Sequence, residues 1–395
     1  MGFGLSKKTG WFYNDFSIVG FLLTGLLFLS VDTISRYLLV LDSGELKESV
    51  VYSILRVFIF GFLTLSFLTD RKTINIFSLK WLYLFILACS ISLFINFLDF
   101  NDFFKSVIYT FSFVLIYRYG IVLGNVKEDF KVFNRAITII IIILLIQYIG
   151  TYYLKFGSIS VVSNDAIFSI VVFIPFLFLF EKKRLRLLLT VVIMICTVMS
   201  QKRSAILVVN FSILLALILY YSERSKARLI FIGLFLALLA FNFLNEIENI
   251  GFVDSVLHRF ENSSDNGRNE INEELLGKIS KRDGIETFFG LGYAATIRDI
   301  GIPSHNDFLE ILYDYGIIAL IIYIVSLMYL GLKAIFWYKR REEYLEYYIC
   351  YLVAFIMLIG LSTVNYMIYS VYNMVLFLAI GISYSKILLR IKHSK

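Results

Sequence analysis

The chain has 395 residues, of which 59% are hydrophobic and only 17% charged, with a mean hydropathy of +0.80. That composition excludes an ordinary soluble globular domain. The net charge of +7 would suit a nucleic-acid partner, but its distribution argues against one: residues 245–314 hold 14 acids against 6 bases, a net of −8, and the basic excess lies elsewhere, in short clusters between apolar blocks.

Those blocks have about the length of the roughly 20 helical residues that cross a hydrocarbon core of about 30 Å. Period-2 alternation is absent, so helices rather than a β-barrel are expected to satisfy the backbone in lipid. The sequence therefore predicts an all-α polytopic membrane protein, a single integral domain over residues 1–395. About twelve transmembrane helices are expected, near 16–31, 49–69, 79–98, 106–124, 136–154, 161–180, 187–200, 205–221, 229–244, 316–337, 345–364 and 368–386. No small-residue cleavage site follows the first block, where Asp32 to Arg36 reads D-T-I-S-R, so this helix is expected to be retained. Cys89, Cys196 and Cys350 each fall inside an apolar block without metal-ligand or disulfide spacing, and neither a metal site nor a disulfide framework is expected.

Charge sets the expected orientation. With the N-terminus in the cytoplasm, Lys7/Lys8, Arg71/Lys72, Lys127/Lys131/Arg135, Lys182–Arg186, Arg224/Lys226/Arg228, Lys339–Arg341 and Arg390/Lys392/Lys395 all face that side, as the positive-inside rule requires. Both termini are then cytoplasmic, and the acidic segment 245–315 faces outward as an elaborated loop. The tight turn Gln201-Lys202-Arg203-Ser204 also faces outward, against the charge bias of the other loops. Its two cations either have a compensating use or snorkel to the surface.

Within the loop, Ile271, Leu275 and Ile279 recur at i, i+4 and i+8, which predicts an amphipathic helix over about 269–282, suited to a membrane surface. Gly284, Gly290 and Gly292 mark turns before a second helix. Ser304 with Asp307 forms an S-x-x-D capping pattern, so Ser304 is expected as N-cap and His305 as first helical residue. There the helix dipole favours a neutral imidazole, as a general base must be; an ordinary polar histidine is the alternative. Arg56 inside its span and Asp165 near the end of another are costly charges that either pair or line a cavity. Asp32 and Arg36 read as a local i,i+4 ion pair. Arg259 and Arg298 are loop arginines suited to carbohydrate or to plain solvation.

Ser304-His305-Asn306-Asp307-Phe308-Leu309, leading through Tyr315-Gly316-Ile317-Ile318 into an apolar helix, resembles the H-N-x-[FY]-L…G-I motif of the O-antigen ligase and Wzy-type polymerase superfamily. Gly267-Arg268, Gly290-Leu291-Gly292 and Gln201-Lys202-Arg203-Ser204 resemble that family's G-R, G-x-G and [SQ]-x-R-[SG] positions, in the same order, over roughly residues 187–337. The resemblance implies a GT-C-like glycosyltransferase in the bacterial inner membrane, acting outside it on glycans carried by undecaprenyl diphosphate. It implies His305 as catalytic base and Arg203 and Arg268 as ligands of the diphosphate; Lys202, which has no firm family counterpart, and Asn306, Arg56 and Arg259 are accessory candidates by position.

Such chemistry suits these residue types. Guanidinium groups pair bidentately with the leaving diphosphate, and a base takes the proton of the acceptor hydroxyl, so neither cofactor nor metal is expected. A surface-polysaccharide repeat-unit polymerase, with lipid-linked donor and acceptor and a chain-length regulator protein as a further partner, is the leading reading. An O-antigen ligase acting on lipid A core is its neighbour. A lipid-linked oligosaccharide flippase is the reading from another class, but it should show paired half-repeats and midplane polar groups, whereas this sequence concentrates polarity in one loop.

Overall fold

The computed structural model describes residues 22–30, 50–69, 77–97, 99–126, 131–156, 165–200, 202–222, 268–364 and 370–393. Among these residues the protein is helical with no strand. Residues 22–30 form α1, followed by α2 (Val50–Thr69), α3 (Phe77–Ile95), α4 (Phe100–Val126) and α5 (Lys131–Phe156). Next come two one-turn helices, α6 (Phe168–Val171) and α7 (Ile174–Leu177), then α8 (Lys183–Met199) and α9 (Arg203–Ser222). The loop contributes α10 (Arg268–Ile279), α11 (Gly284–Phe289) and α12 (Ala295–Ile300), and the chain continues through α13 (Asp307–Tyr338), α14 (Leu345–Val364) and α15 (Val371–His393).

Six of these helices, namely α2, α4, α5, α13, α14 (with the short turn before it) and α15, are long and apolar enough to cross a bilayer. Shorter apolar helices cover Leu79–Ile95, Phe168–Leu177 and Ser204–Tyr220. The expected span 229–244, the Asp32/Arg36 pair and the side chain of Asp165 lie outside the described residues.

The innermost contact is between α4 and α15. Gly120 of α4 meets Gly381 of α15 so closely that a Cβ at Gly120 would press on the Leu378 carbonyl and one at Gly381 on the Tyr117 carbonyl, and one turn on, a Cβ at Gly124 would press on the Ile382 carbonyl. Helices in lipid gain little from the hydrophobic effect between themselves, so small residues that admit close backbone packing carry the attraction. A hydrogen bond from Ser385 Oγ to Asn125 Oδ1 (2.6 Å) closes one end of the pair. Trp337 of α13 sits edge-on to Tyr351 of α14 and Tyr384 of α15, with ring centroids 5.2 Å apart in each case, and joins those three helices. Outward-facing Phe58, Phe94, Ile146, Phe211, Ile335 and Phe336 stay exposed, as lipid-facing side chains would.

From residue 165 on, the expected single span at 161–180 is instead a succession of short turns, with Asp165–Ile167 in 3₁₀ geometry before α6 and α7. Pro175 in the first turn of α7 cannot donate a backbone hydrogen bond, and Phe173, Phe176, Phe178 and Leu179 donate three residues back rather than four. All side chains from Ala166 to Phe180 are buried, which is where irregular backbone is tolerated at membrane depth.

Candidate functional site

The site forms where α13 begins. Its N-cap is Asn306, not Ser304: Asn306 Oδ1 accepts the backbone N–H groups of Phe308 (3.0 Å) and Leu309 (3.3 Å). Two cap-type residues on either side of His305 compete here, and tertiary bonding decides between them. The Ser304 N–H donates to Glu310 Oε1, one turn into α13, while Ser304 Oγ donates to the Asn306 carbonyl (2.9 Å) and accepts the Asn306 N–H (3.1 Å). His305 is therefore not the first helical residue. It is a half-buried loop residue ahead of the cap, with φ at +57°, in the left-handed region that side chains other than glycine rarely occupy.

A second device holds this helix end. At Gly316 the backbone of α13 breaks, with φ 80° and ψ 178°. Below the break the Tyr313 carbonyl accepts the Leu291 N–H (3.2 Å) and the Asp314 carbonyl accepts the Gly292 N–H (2.8 Å) and Ser92 Oγ (3.2 Å). Gly290, at φ +71°, lies so close that its Cβ would collide with the Asp314 carbonyl, and a Cβ on Gly316 would collide with that of Phe288. Both positions need glycine for space as well as for conformation. Asn96, just past α3, donates to the Gly290 carbonyl (3.1 Å), so the G-L-G turn is tied to α3 and α13 together.

Buried polar groups complete the joint. Asp307, Glu310 and Asp314 repeat along one face of α13 and all are fully buried. Asp314 Oδ1 accepts both the N–H and the hydroxyl of Thr296 at 3.0 Å, which fixes α12. The Tyr315 hydroxyl bonds Thr110 (2.8 Å) and Ser106 (3.1 Å) of α4.

The amphipathic helix expected at 269–282 is present as α10, and its apolar face packs against α12 and α13. Leu275, flanked by Ile271 and Ile279, packs with Ala295 and Tyr313 in a small separate core. Arg282 lies over the Tyr313 ring (3.9 Å) and donates to the Tyr313 carbonyl (3.1 Å); the Tyr313 hydroxyl donates to Asp299 (2.9 Å). Arg298 donates to the Leu291 carbonyl (3.2 Å) and so supports the G-L-G turn.

Arg203 and Arg268 open α9 and α10, but their side chains, with Gln201 and all of Arg259 and His258, lie outside the described residues. Lys202 is half-buried in the turn between α8 and α9, where its N–H donates to Ser200 Oγ (3.3 Å). Arg56 is 2% exposed. Its guanidinium lies 3.8 Å from the centroid of Tyr109 and bonds the Tyr52 hydroxyl (2.8 Å), and Tyr109 stacks on Tyr293 of the loop (6.2 Å). Arg56 thus belongs to a ladder that ends beside Gly292, a connection sequence spacing does not reveal. Among the described residues no group of three or more His, Cys, Asp or Glu is placed to hold a metal ion.

These features define a polytopic helical membrane protein whose longest helix carries a His-Asn motif at its start, pinned by a glycine turn of the preceding loop. Residues 187–324 match the family model described as O-antigen ligase, which supports the resemblance to the O-antigen ligase and polymerase superfamily over that stretch. The match takes in α8 to the middle of α13, and so includes Arg203, Arg268, Gly290, Gly292, His305, Asn306 and Gly316. It points to membrane glycan transfer of the O-antigen ligase or polymerase type. No curated protein matches the chain.

Proposed function

We propose that this protein is a polymerase of undecaprenyl-diphosphate-linked oligosaccharide repeat units, with His305 as general base and Arg203 and Arg268 as ligands of the diphosphate. The observation that carries the reading is the placement of His305: a strained, half-buried residue ahead of a capped helix, within the stretch that matches the family. Strain of this kind persists where the surroundings over-determine it, and functional sites are where it collects.

In the proposed step an acceptor sugar hydroxyl attacks the anomeric carbon of the donor. A new C–O bond forms, the bond from that carbon to the diphosphate oxygen breaks, and the hydroxyl proton passes to the His305 imidazole. The diphosphate leaves with its electron pair, and two arginines stabilise its charge. Arginine supplies the positive charge, so activity is expected to persist in chelator; loss in EDTA restored by magnesium or manganese would contradict this. Arg203→Ala or Arg268→Ala should weaken donor binding and turnover together, with lysine rescuing only in part because it lacks the planar fork.

The description of the matching family favours a second reading, a ligase that transfers the finished glycan to lipid A core. Deleting the gene separates the two. Surface glycan reduced to single repeats on lipid A core supports the polymerase, whereas accumulation of lipid-linked polymer supports the ligase. The proposal also places residues 245–315 outside the inner membrane and both termini in the cytoplasm. A cysteine introduced at Ser263 should then react with impermeant reagents in spheroplasts, and protection from them would overturn the orientation.

A further inference from the structure

We infer that Glu310 is a positioning residue for His305, acting through the backbone of Ser304; the inference rests on the proposed role of His305 as base. Glu310 is 0% exposed and lies on the buried face of α13, one turn after the cap. Its Oε1 accepts the Ser304 N–H, the last backbone donor before His305. On the other side of His305, the Asn306 N–H and carbonyl are both bonded to Ser304 Oγ. The chain therefore enters and leaves His305 through one serine, and Glu310 fixes that serine to the helix. A left-handed backbone at a residue with a Cβ needs such external restraint, because the unrestrained chain relaxes to negative φ.

The neighbouring acid has a parallel use at a different segment. Asp314 receives the N–H and hydroxyl of Thr296 and fixes α12, so two buried carboxyls on one helix face both hold parts of the loop. A carboxyl costs far more to bury than an apolar side chain would. Glu310 spends that cost on an acceptor that reaches a main-chain donor six residues back, which no apolar side chain can provide. The restraint on Ser304 uses one acceptor oxygen, Oε1, and an amide oxygen in the same place should serve.

The test compares Glu310→Gln with Glu310→Ala in the full-length protein, beside His305→Ala, reading kcat and KM for the lipid-linked donor and the hydrogen exchange of the Ser304 amide. Glu310→Gln should keep the amide protected and turnover within about threefold of wild type. Glu310→Ala should expose the amide and lower kcat by about 10²-fold, the scale of a misplaced catalytic group, with KM for donor unchanged. A folded Glu310→Ala protein with wild-type kcat overturns the inference. So does a folded Glu310→Gln protein that keeps Ser304 protected yet loses turnover, and this variant alone decides the matter if the alanine protein does not accumulate. Normal turnover in His305→Ala would instead remove the base, while Ser304 exchange in the Glu310 variants would still report whether the restraint exists.

Discussion

Two close backbone contacts, built from the same residue type, serve different ends in this protein. Between α4 and α15, Gly120, Gly124 and Gly381 sit in regular helix, and their lack of side chains lets two long helices approach. Between the loop and α13, Gly290 and Gly316 both have positive φ, and the carbonyls around them take hydrogen bonds from a neighbouring segment. The first contact is a matter of space alone, and its disturbance spreads along two helices. The second fixes conformation and direction as well as space, and it lies in the same helical segment that His305 and its cap begin. Damage to the first should therefore cost stability, and damage to the second should cost turnover out of proportion to stability.

The largest effect is expected at Gly316. Alanine there combines a backbone conformation almost confined to glycine with a collision against the Phe288 carbonyl, and the expected cost is about 3 kcal/mol with turnover reduced about 10²-fold in whatever protein remains folded. Thermal unfolding in detergent beside a transfer assay measures both. At Gly381, alanine should lower the unfolding temperature by the equivalent of about 1–3 kcal/mol through overpacking against the Tyr117 carbonyl, while kcat of the folded fraction stays at the wild-type value. A selective loss of kcat in Gly381→Ala, or retained kcat in Gly316→Ala, would erase the distinction. A smaller effect is expected at the cap. Asn306→Ala should cost about 1 kcal/mol, with Asn306→Asp near neutral because it keeps the accepting oxygen. The smallest is expected at Asp314→Asn, which retains an acceptor for Thr296 and should lose under about 1 kcal/mol.

Legibility in the sequence follows the same division. Apolar blocks mark helices whose ends are set by local hydropathy, so the expected 49–69 and 345–364 coincide closely with α2 and α14. The block at 368–386 stops short of the end of α15, because Lys386, Arg390 and Lys392 break the apolar run without ending the helix. Hydropathy is blind to backbone hydrogen bonding, so the block at 161–180 reads as one span although Pro175 lies within its broken turns. The motif residues are legible as a pattern, but their joint is not. Ser304 and Asn306 are both cap-type residues in sequence, and Asn306 takes the role because Ser304 Oγ is engaged by the Asn306 backbone. The Arg56, Tyr109 and Tyr293 ladder joins residues from three distant segments, and no spacing rule links them.

The central claim is that His305 takes the acceptor proton while other groups hold the donor. It is tested most directly by measuring donor binding and glycan transfer in purified His305→Ala protein, shown first to insert and accumulate normally. The account predicts donor affinity within about threefold of wild type and transfer reduced by about 10²–10⁴-fold, the usual contribution of a general base. Transfer at the wild-type rate in that protein would contradict it.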